Sequence, residues 1–222
     1  MRSKIAAQGT DTLNPLTTSV GNVNLKNPVM LASGTAGHGT ELSSVTDLSG
    51  VGALVVKSLS AYEWEGNSAP RLHETPNGMI NSIGLQGPGL SYWMEDILPQ
   101  LIDKEITVVL SIWGRTIEDY AAAADLCSDL PTAVKAVELN ISCPNVEDRG
   151  KMFSHTPAST YEVVQATSQI KTPRWAKLSP NVTNLVEIAN AAKEAGADGV
   201  TLINTVMGLS LIHISEPTRR TI

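Results

Sequence analysis

The sequence lacks the features that identify disulfide-stabilised, zinc-binding, membrane-spanning and nucleic-acid-binding proteins. Its two cysteines, Cys127 and Cys143, have no C-x-x-C spacing and no nearby histidine pair, so neither a zinc site nor a disulfide framework is predicted. No apolar run approaches the roughly 18 residues needed to cross a bilayer, and the N-terminus has no signal-peptide core. The net charge of -6 supplies no basic face for phosphates. We therefore expect a cytoplasmic protein that binds no metal, nucleic acid or membrane.

Short apolar runs alternate with longer amphipathic ones along the chain. Helical spacing is clearest over residues 185–195, where apolar residues recur at i, i+3, i+4 and i+7, and Gly196 follows as a helix-ending glycine. Alternation of this kind predicts an α/β fold with a parallel sheet, either doubly wound or closed as a (β/α)8 TIM barrel. The predicted strands are residues 29–32, 53–57, 106–112, 136–141, 175–178 and 199–203. The other predicted helices are residues 41–48, 92–104, 117–130 and 157–170.

Polar residues at the ends of the predicted strands favour the barrel. They follow six different strands: Ser33, Lys57, Ser111, Asn140 with Cys143, Lys177, and Asn204. A barrel brings all six ends to one mouth, where such proteins place their sites, whereas a doubly wound sheet concentrates ligand groups at one switch point. The first strand also lacks the G-x-G-x-x-G turn of a dinucleotide site. A long connection without helical spacing, residues 58–89, is typical of a lid over a site.

Residues 138–145, ELNISCPN, form the most informative stretch. An apolar strand ends there among amides, a hydroxyl and the Cys143 thiol, the one group in the stretch that can act as a base near neutral pH once its pKa is lowered. The alternative is a buried thiol at a strand end, because free cysteine is among the most buried residue types. Cys127, on the predicted helix 117–130, is interpreted as a packing or surface residue.

Six ordered motifs resemble the class 1 dihydroorotate dehydrogenases, flavoenzymes of pyrimidine synthesis. The cysteine at position 143 resembles class 1, because the membrane-associated class 2 has serine at this position of the motif. The run VEDRGKMFSHTP after the motif ELNISCPN resembles the NAD-linked class 1B subgroup. The motifs are LKNPVMLASGTAG, VVKSLS, PRLHETPNGMINSIGLQGPG, ELNISCPN, WAKLSPNVT and LINTVMG.

The resemblance implies FMN as cofactor and dihydroorotate as substrate, oxidised to orotate in UMP biosynthesis. It implies that Cys143 is the general base that removes the C5 proton while a hydride leaves C6 for the flavin. The substrate contacts it implies are Lys57, Asn81, Ser82, Ile83, Gly84, Leu85, Asn140, Asn204 and Thr205. The flavin contacts it implies are Ala32, Ser33, Lys57, Ser58, Ser111, Asn140, Lys177 and Ile203, with Ser111 standing where many members have asparagine. It further implies an electron-transfer subunit carrying FAD and an iron-sulfur cluster, and a homodimer for the full-length family.

The chain departs from the family after Gly208. We expect a flexible tail over residues 1–18, a partial flavin- and substrate-binding barrel over residues 19–208, and a segment over 209–222, LSLIHISEPTRRTI, that fits neither the family nor an assignable element. About six of eight strands precede Gly208, so the sequence is expected to be a fragment. As written, it is expected to fold poorly and to retain little FMN, because an open barrel exposes two sheet edges.

Three other functions remain open from the sequence. A lysine Schiff-base aldolase on the same barrel would use Lys57 or Lys177. A related enzyme that reduces uracil or thymine would share the cysteine loop. A degenerate barrel fragment would catalyse nothing and would serve at most as an interaction surface.

Overall fold

The centre of the described part of the chain is a curled, six-stranded, all-parallel sheet that forms an incomplete (β/α)8 barrel. The computed structural model describes residues 16–142 and 152–206. All six predicted strands are confirmed, and they pair in the order β10-β9-β8-β7-β4-β3, which follows the chain. The strands are β3 (Met30–Leu31), β4 (Ala53–Val55), β7 (Val108–Ile112), β8 (Val134–Asn140), β9 (Arg174–Lys177) and β10 (Gly199–Thr201). The predicted strand 53–57 is too long, because β4 ends at Val55 and Lys57 lies in the connection that follows it.

Helices connect successive strands, as the alternation predicts. Helix α4 begins with a capping box in which Thr116 and Asp119 each bind the other's backbone N–H, and α6 begins at Asn184, whose side chain accepts two backbone N–H bonds. Gly196 follows α6 with a φ of 94°, as expected for a helix-ending glycine. The helices are α1 (Thr40–Ser43), α2 (Leu90–Tyr92), a π-helical turn (Trp93–Ile97), α3 (Leu98–Asp103), α4 (Ile117–Leu126), a 3-10 turn (Phe153–His155), α5 (Pro157–Ala166) and α6 (Leu185–Glu194).

The two faces of the sheet pack differently, and this difference positions the site. Outward-facing strand residues such as Leu54, Leu110 and Leu139 pack against the helices in one large buried cluster. Inward-facing residues form a smaller apolar layer with the hairpin strands β1 (Thr18–Val20) and β2 (Val23–Leu25). That layer comprises Val23, Leu25, Ala53, Val55, Val109, Ala136 and Trp175. Because side chains alternate along a strand, the next inward positions after the layer carry the polar residues of the site.

Two hairpins were not predicted. The β1–β2 hairpin begins at Thr18, the last residue of the predicted tail, and residues 1–15 of that tail lie outside the described residues. A second hairpin, β5 (Leu72–Thr75) and β6 (Gly78–Asn81), lies inside the long connection 58–89. The strands of the two hairpins are only three to four residues long, and those of β5–β6 are largely exposed, so neither hairpin carries a run long enough to be recognised from apolar alternation.

In the described part of the chain, no helix combines the length and apolar character that a membrane crossing requires.

Candidate active site

The polar layer lies on the inner face of the sheet, at the carboxyl ends of the strands. Ser111, Glu138 and Lys177 stand two residues beyond Val109, Ala136 and Trp175 on β7, β8 and β9, so the alternation that points the apolar layer inward points these three inward as well. Of the predicted strand-end residues, Asn140 and Asn204 lie within hydrogen-bond distance of each other, and Ser58 links Asn140 to Ser33 and Ser111.

Three serines from three successive strands form a buried row. The Ser58 hydroxyl lies 2.9 Å from the Ser111 hydroxyl and 3.4 Å from the Ser33 hydroxyl, which itself donates to the Val56 carbonyl at 2.8 Å. Ser58 and Ser111 are 2% and 0% exposed. Hydroxyl groups both donate and accept, so the row can adjust its proton positions to whatever polar group meets it.

Asn140, at the end of β8, connects this row to the far side of the site. Its amide nitrogen donates to the Ser58 hydroxyl at 2.9 Å, and its amide oxygen accepts from the Ser142 hydroxyl at 3.3 Å. The Asn204 amide nitrogen lies 3.5 Å from the same oxygen and donates to the Ser142 hydroxyl at 2.9 Å. The Tyr120 hydroxyl fixes the Asn140 backbone, donating to its carbonyl at 2.7 Å. Asn140 is therefore held from three sides.

Cys143, the predicted base, lies outside the described residues. Its neighbour Ser142 is 2% exposed and bonds to both Asn140 and Asn204. The residue directly before Cys143 is therefore held in the site by hydrogen bonds, and the position of the Cys143 thiol stays a prediction.

Glu138 is a site residue that the sequence analysis did not single out. It is 2% exposed; its carboxylate accepts from the Ser111 hydroxyl at 3.3 Å and lies 3.7 Å from the Lys177 ammonium. The signal was present in the sequence: a glutamate two residues before Asn140 on an apolar strand shares its face and must be buried. Buried carboxylates are almost always paired, so a partner on a neighbouring strand could have been expected.

Lys57 lies beside the glycine-rich loop that follows β3. Its backbone N–H donates to the Gly37 carbonyl at 2.8 Å, and a Cβ added at Gly34, where φ is +83°, would lie 3.3 Å from Lys57 Cδ. His38, in the same loop, has its pKa lowered by burial and, to a smaller degree, by Lys57, against the opposing effect of Glu41. The loop therefore leaves the lysine stem little room on that side.

The predicted substrate turn, residues 81–85, begins at the last residue of β6 and continues into the following loop, and it is held by a separate set of bonds. Trp64 Nε1 donates to the Gly84 carbonyl at 2.8 Å, while Asn67 donates from its backbone to Ile83 at 3.0 Å and from its side chain to Ser82 at 2.9 Å. The turn itself is exposed or half-buried; its members are Asn81, Ser82, Ile83, Gly84 and Leu85.

Trp64 also links this turn to the strand ends. Its ring meets the ring of Trp113 edge to face at 5.9 Å, and the Trp113 backbone N–H donates to the Leu59 carbonyl at 3.0 Å, one residue after Ser58. Gly87 packs against Leu59 and His38. The long connection is thus anchored beside the serine row.

The remaining predicted contacts lie at the two outer strands. Ala32 follows β3 and is exposed, and its carbonyl accepts from Thr35. Ile203 and Thr205 follow β10 and are also exposed, and the Thr205 N–H donates to the Asn204 side chain at 2.8 Å. Within residues 16–142 and 152–206, no group of three or more His, Cys, Asp and Glu side chains could hold a metal ion.

A curled parallel sheet with polar residues gathered at its strand ends defines the chain as part of a (β/α)8-barrel protein. Comparison with known proteins narrows this class. The chain belongs to the dihydroorotate dehydrogenase family, whose family model, described as "Dihydroorotate dehydrogenase", matches residues 15–220.

Three relatives are named "Dihydroorotate dehydrogenase B (NAD(+)), catalytic subunit". That of Bacteroides thetaiotaomicron is 43% identical over 197 residues, which are 88% of this chain and 65% of the relative. That of Alkaliphilus metalliredigens is 45% identical over 201 residues, 90% of this chain and 66% of the relative. That of Geotalea uraniireducens is 45% identical over 198 residues, which are 88% of this chain and 64% of the relative. The resemblance to class 1B is confirmed, and the chain spans about two thirds of the length of these relatives.

Proposed function

We propose that this chain is the flavin- and substrate-binding part of a class 1B dihydroorotate dehydrogenase, which oxidises dihydroorotate to orotate with FMN in UMP biosynthesis. One observation carries the proposal: Asn140, 6% exposed, connects the Ser58 row to Ser142 and Asn204. Such a set of fixed amides and hydroxyls, which includes Ser142 directly before Cys143 in the sequence, suits a flat, hydrogen-bond-rich pyrimidine.

The residues present fit FMN. Its ring carries carbonyls and ring nitrogens along one edge, and the serine row, Asn140 and Lys177 offer donors and acceptors at the strand ends. Glycine at position 34 avoids a Cβ that would lie 3.3 Å from the Lys57 stem and 3.6 Å from its ammonium nitrogen. Bound FMN would supply the acceptor for the hydride that leaves C6. We assign to it Ala32, Ser33, Lys57, Ser58, Ser111, Asn140, Lys177 and Ile203.

The protein's own groups would bind the substrate and move its proton. We propose that the Cys143 thiolate acts as the general base and removes the C5 proton of the substrate. The Lys57 ammonium would bind the substrate carboxylate, and Asn140 and Asn204 would donate to and accept from the ring. Thr205 and the turn of residues 81–85 complete the proposed contacts, and Trp64 would keep that turn in place through its bond to Gly84.

The test is anaerobic mixing of dihydroorotate with the complete protein that contains this sequence, loaded with FMN. We expect the visible flavin absorbance to bleach, and Cys143→Ala to slow bleaching by roughly 10²- to 10⁴-fold, the usual contribution of a general base. Cys127→Ala is the matched control, because Cys127 is buried in the outer core. Unchanged bleaching in Cys143→Ala would exclude the base assignment, and a wild-type protein that binds no FMN would exclude the function.

We further propose a partner subunit that carries FAD and an iron-sulfur cluster and passes electrons to NAD, with a homodimer of the catalytic chain. The name of the relatives, the catalytic subunit of an NAD(+)-linked enzyme, supports the further subunit and the link to NAD. Co-purification of the complete protein with a flavin- and iron-containing subunit, together with NAD-dependent turnover, would test this. Turnover with fumarate in place of NAD would contradict it.

A further inference from the structure

Glu138 is a buried carboxylate that the proposed mechanism does not use. It lies on β8 between Ala136 and Asn140, on the inward face, and is 2% exposed. A carboxylate taken out of water is unfavourable unless it is paired and hydrogen-bonded. Glu138 meets both needs within the site, through the Ser111 hydroxyl at 3.3 Å and the Lys177 ammonium at 3.7 Å.

The two charged groups of the pair are buried to different depths. The Lys177 side chain is 13% exposed and the Glu138 side chain is 2% exposed, so the ammonium is the outer member and the carboxylate the inner one. A group that binds at the mouth would meet the ammonium first, with the carboxylate behind it. The carboxylate also continues the serine row, since Ser111 bonds to both Ser58 and Glu138.

We propose that Glu138 is a positioning residue that offsets the positive charge of Lys177, so that the lysine donates a hydrogen bond to FMN without adding a full positive charge there. This inference rests on the proposed function, which assigns Lys177 to FMN. Without Glu138, the lysine would stabilise the reduced, more negative flavin too strongly.

The test is a double-mutant cycle on the FMN-loaded complete protein, with the reduction potential of FMN as the readout. The variants are Glu138→Gln, Lys177→Gln and the two combined, and Glu162→Gln is the control for net charge, since Glu162 is exposed on α5. Glutamine keeps the shape of Glu138 and can still accept from Ser111. Glu138→Asp retains the charge and serves as the conservative variant.

We expect opposite shifts from the two single variants. Glu138→Gln raises the potential, equivalent to roughly a tenfold gain in affinity for reduced over oxidised FMN, because one charge is left without its partner. Lys177→Gln lowers the potential. The double variant returns close to the wild-type value, and Glu138→Asp and Glu162→Gln stay near it.

The sign of the shift in the FMN reduction potential shows whether Glu138 acts as a counter-charge to Lys177 or only holds the lysine side chain in place. A lowered potential in Glu138→Gln, matching Lys177→Gln, would show that the carboxylate only holds the lysine in place, and no shift would show a packing role; either result overturns the inference. If Glu138→Gln does not fold, the double variant is compared with Lys177→Gln. A charge at position 138 that acts on FMN places the potential of the double variant above that of Lys177→Gln, whereas equal potentials would overturn the inference. Failure of the wild type to bind FMN would overturn the proposed function itself.

Discussion

Removal of the Tyr120 hydroxyl should weaken both the fold and the site. The side chain of Tyr120 is 1% exposed, and its hydroxyl donates to the Asn140 carbonyl at 2.7 Å. Tyr120→Phe keeps the ring and its edge-to-face contact with Phe153, at 5.6 Å, but leaves a buried carbonyl without this donor. An unsatisfied buried group costs about 1–3 kcal/mol, and we expect a loss of about 1.5 kcal/mol in the free energy of unfolding.

Urea denaturation and thermal melting measure this loss. In the complete protein that contains this sequence, about 1.5 kcal/mol corresponds to a fall in Tm of roughly 3 °C. Tyr92→Phe is the matched control, because Tyr92 is 52% exposed and a surface change of this kind stays within about 0.5 kcal/mol. Equal stabilities of the two variants would refute the reasoning that the hydroxyl holds Asn140. FMN affinity should fall with Tyr120→Phe and not with Tyr92→Phe.

Two further predictions concern buried groups outside the site. Burial raises the pKa of the Cys127 thiol from 9.0 to about 12. The unfolded chain therefore loses this proton first, so stability present below pH 9 falls as the pH rises from 9 towards 12. Cys127→Val should remove that part of the alkaline slope in urea denaturation, and an unchanged slope would contradict the assignment. Arg174 is buried, and its guanidinium donates to the Val164 and Gly196 carbonyls at 2.7 Å each, near the ends of α5 and α6. Arg174→Met should lower the free energy of unfolding by about 3 kcal/mol, since bonds to charged groups exceed neutral ones; a loss below about 1 kcal/mol would show that guanidinium desolvation cancels those bonds.

The strand-end residues show how far sequence reasoning reached. Ser111, Asn140, Lys177 and Asn204 could be assigned to one mouth because parallel strands of a barrel present all their carboxyl ends on the same side. For Cys127 the sequence left a packing and a surface position open, and the structure shows it buried just after α4. The assignments to FMN and substrate stay predictions, and so do the domain boundaries at residues 18 and 208.

Glu138 and the β5–β6 hairpin show where the sequence was insufficient. A glutamate on an apolar strand is predicted to be buried, but its partner cannot be predicted. The partner lies on another strand, and the register between the two strands decides which residue it is. Here Glu138 is opposite Trp175 on β9. Lys177, two residues further along β9 and on the same face, is opposite Asn140. The hairpin strands are short and exposed, so their pairing depends on turn geometry and on anchors such as Trp64 rather than on apolar alternation.

The sequence by itself determined the alternating strands and helices, the parallel sheet and the identity of the polar residues at the strand ends, because local periodicity and strand alternation are written in neighbouring residues. Only the tertiary structure decided that Glu138 meets Lys177 and Ser111, that Asn140 connects Ser58 with Asn204, and that Trp64 holds the turn at Gly84. Each of these contacts joins residues at least 20 positions apart, and such contacts are set by register and curvature of the sheet, which no local pattern encodes.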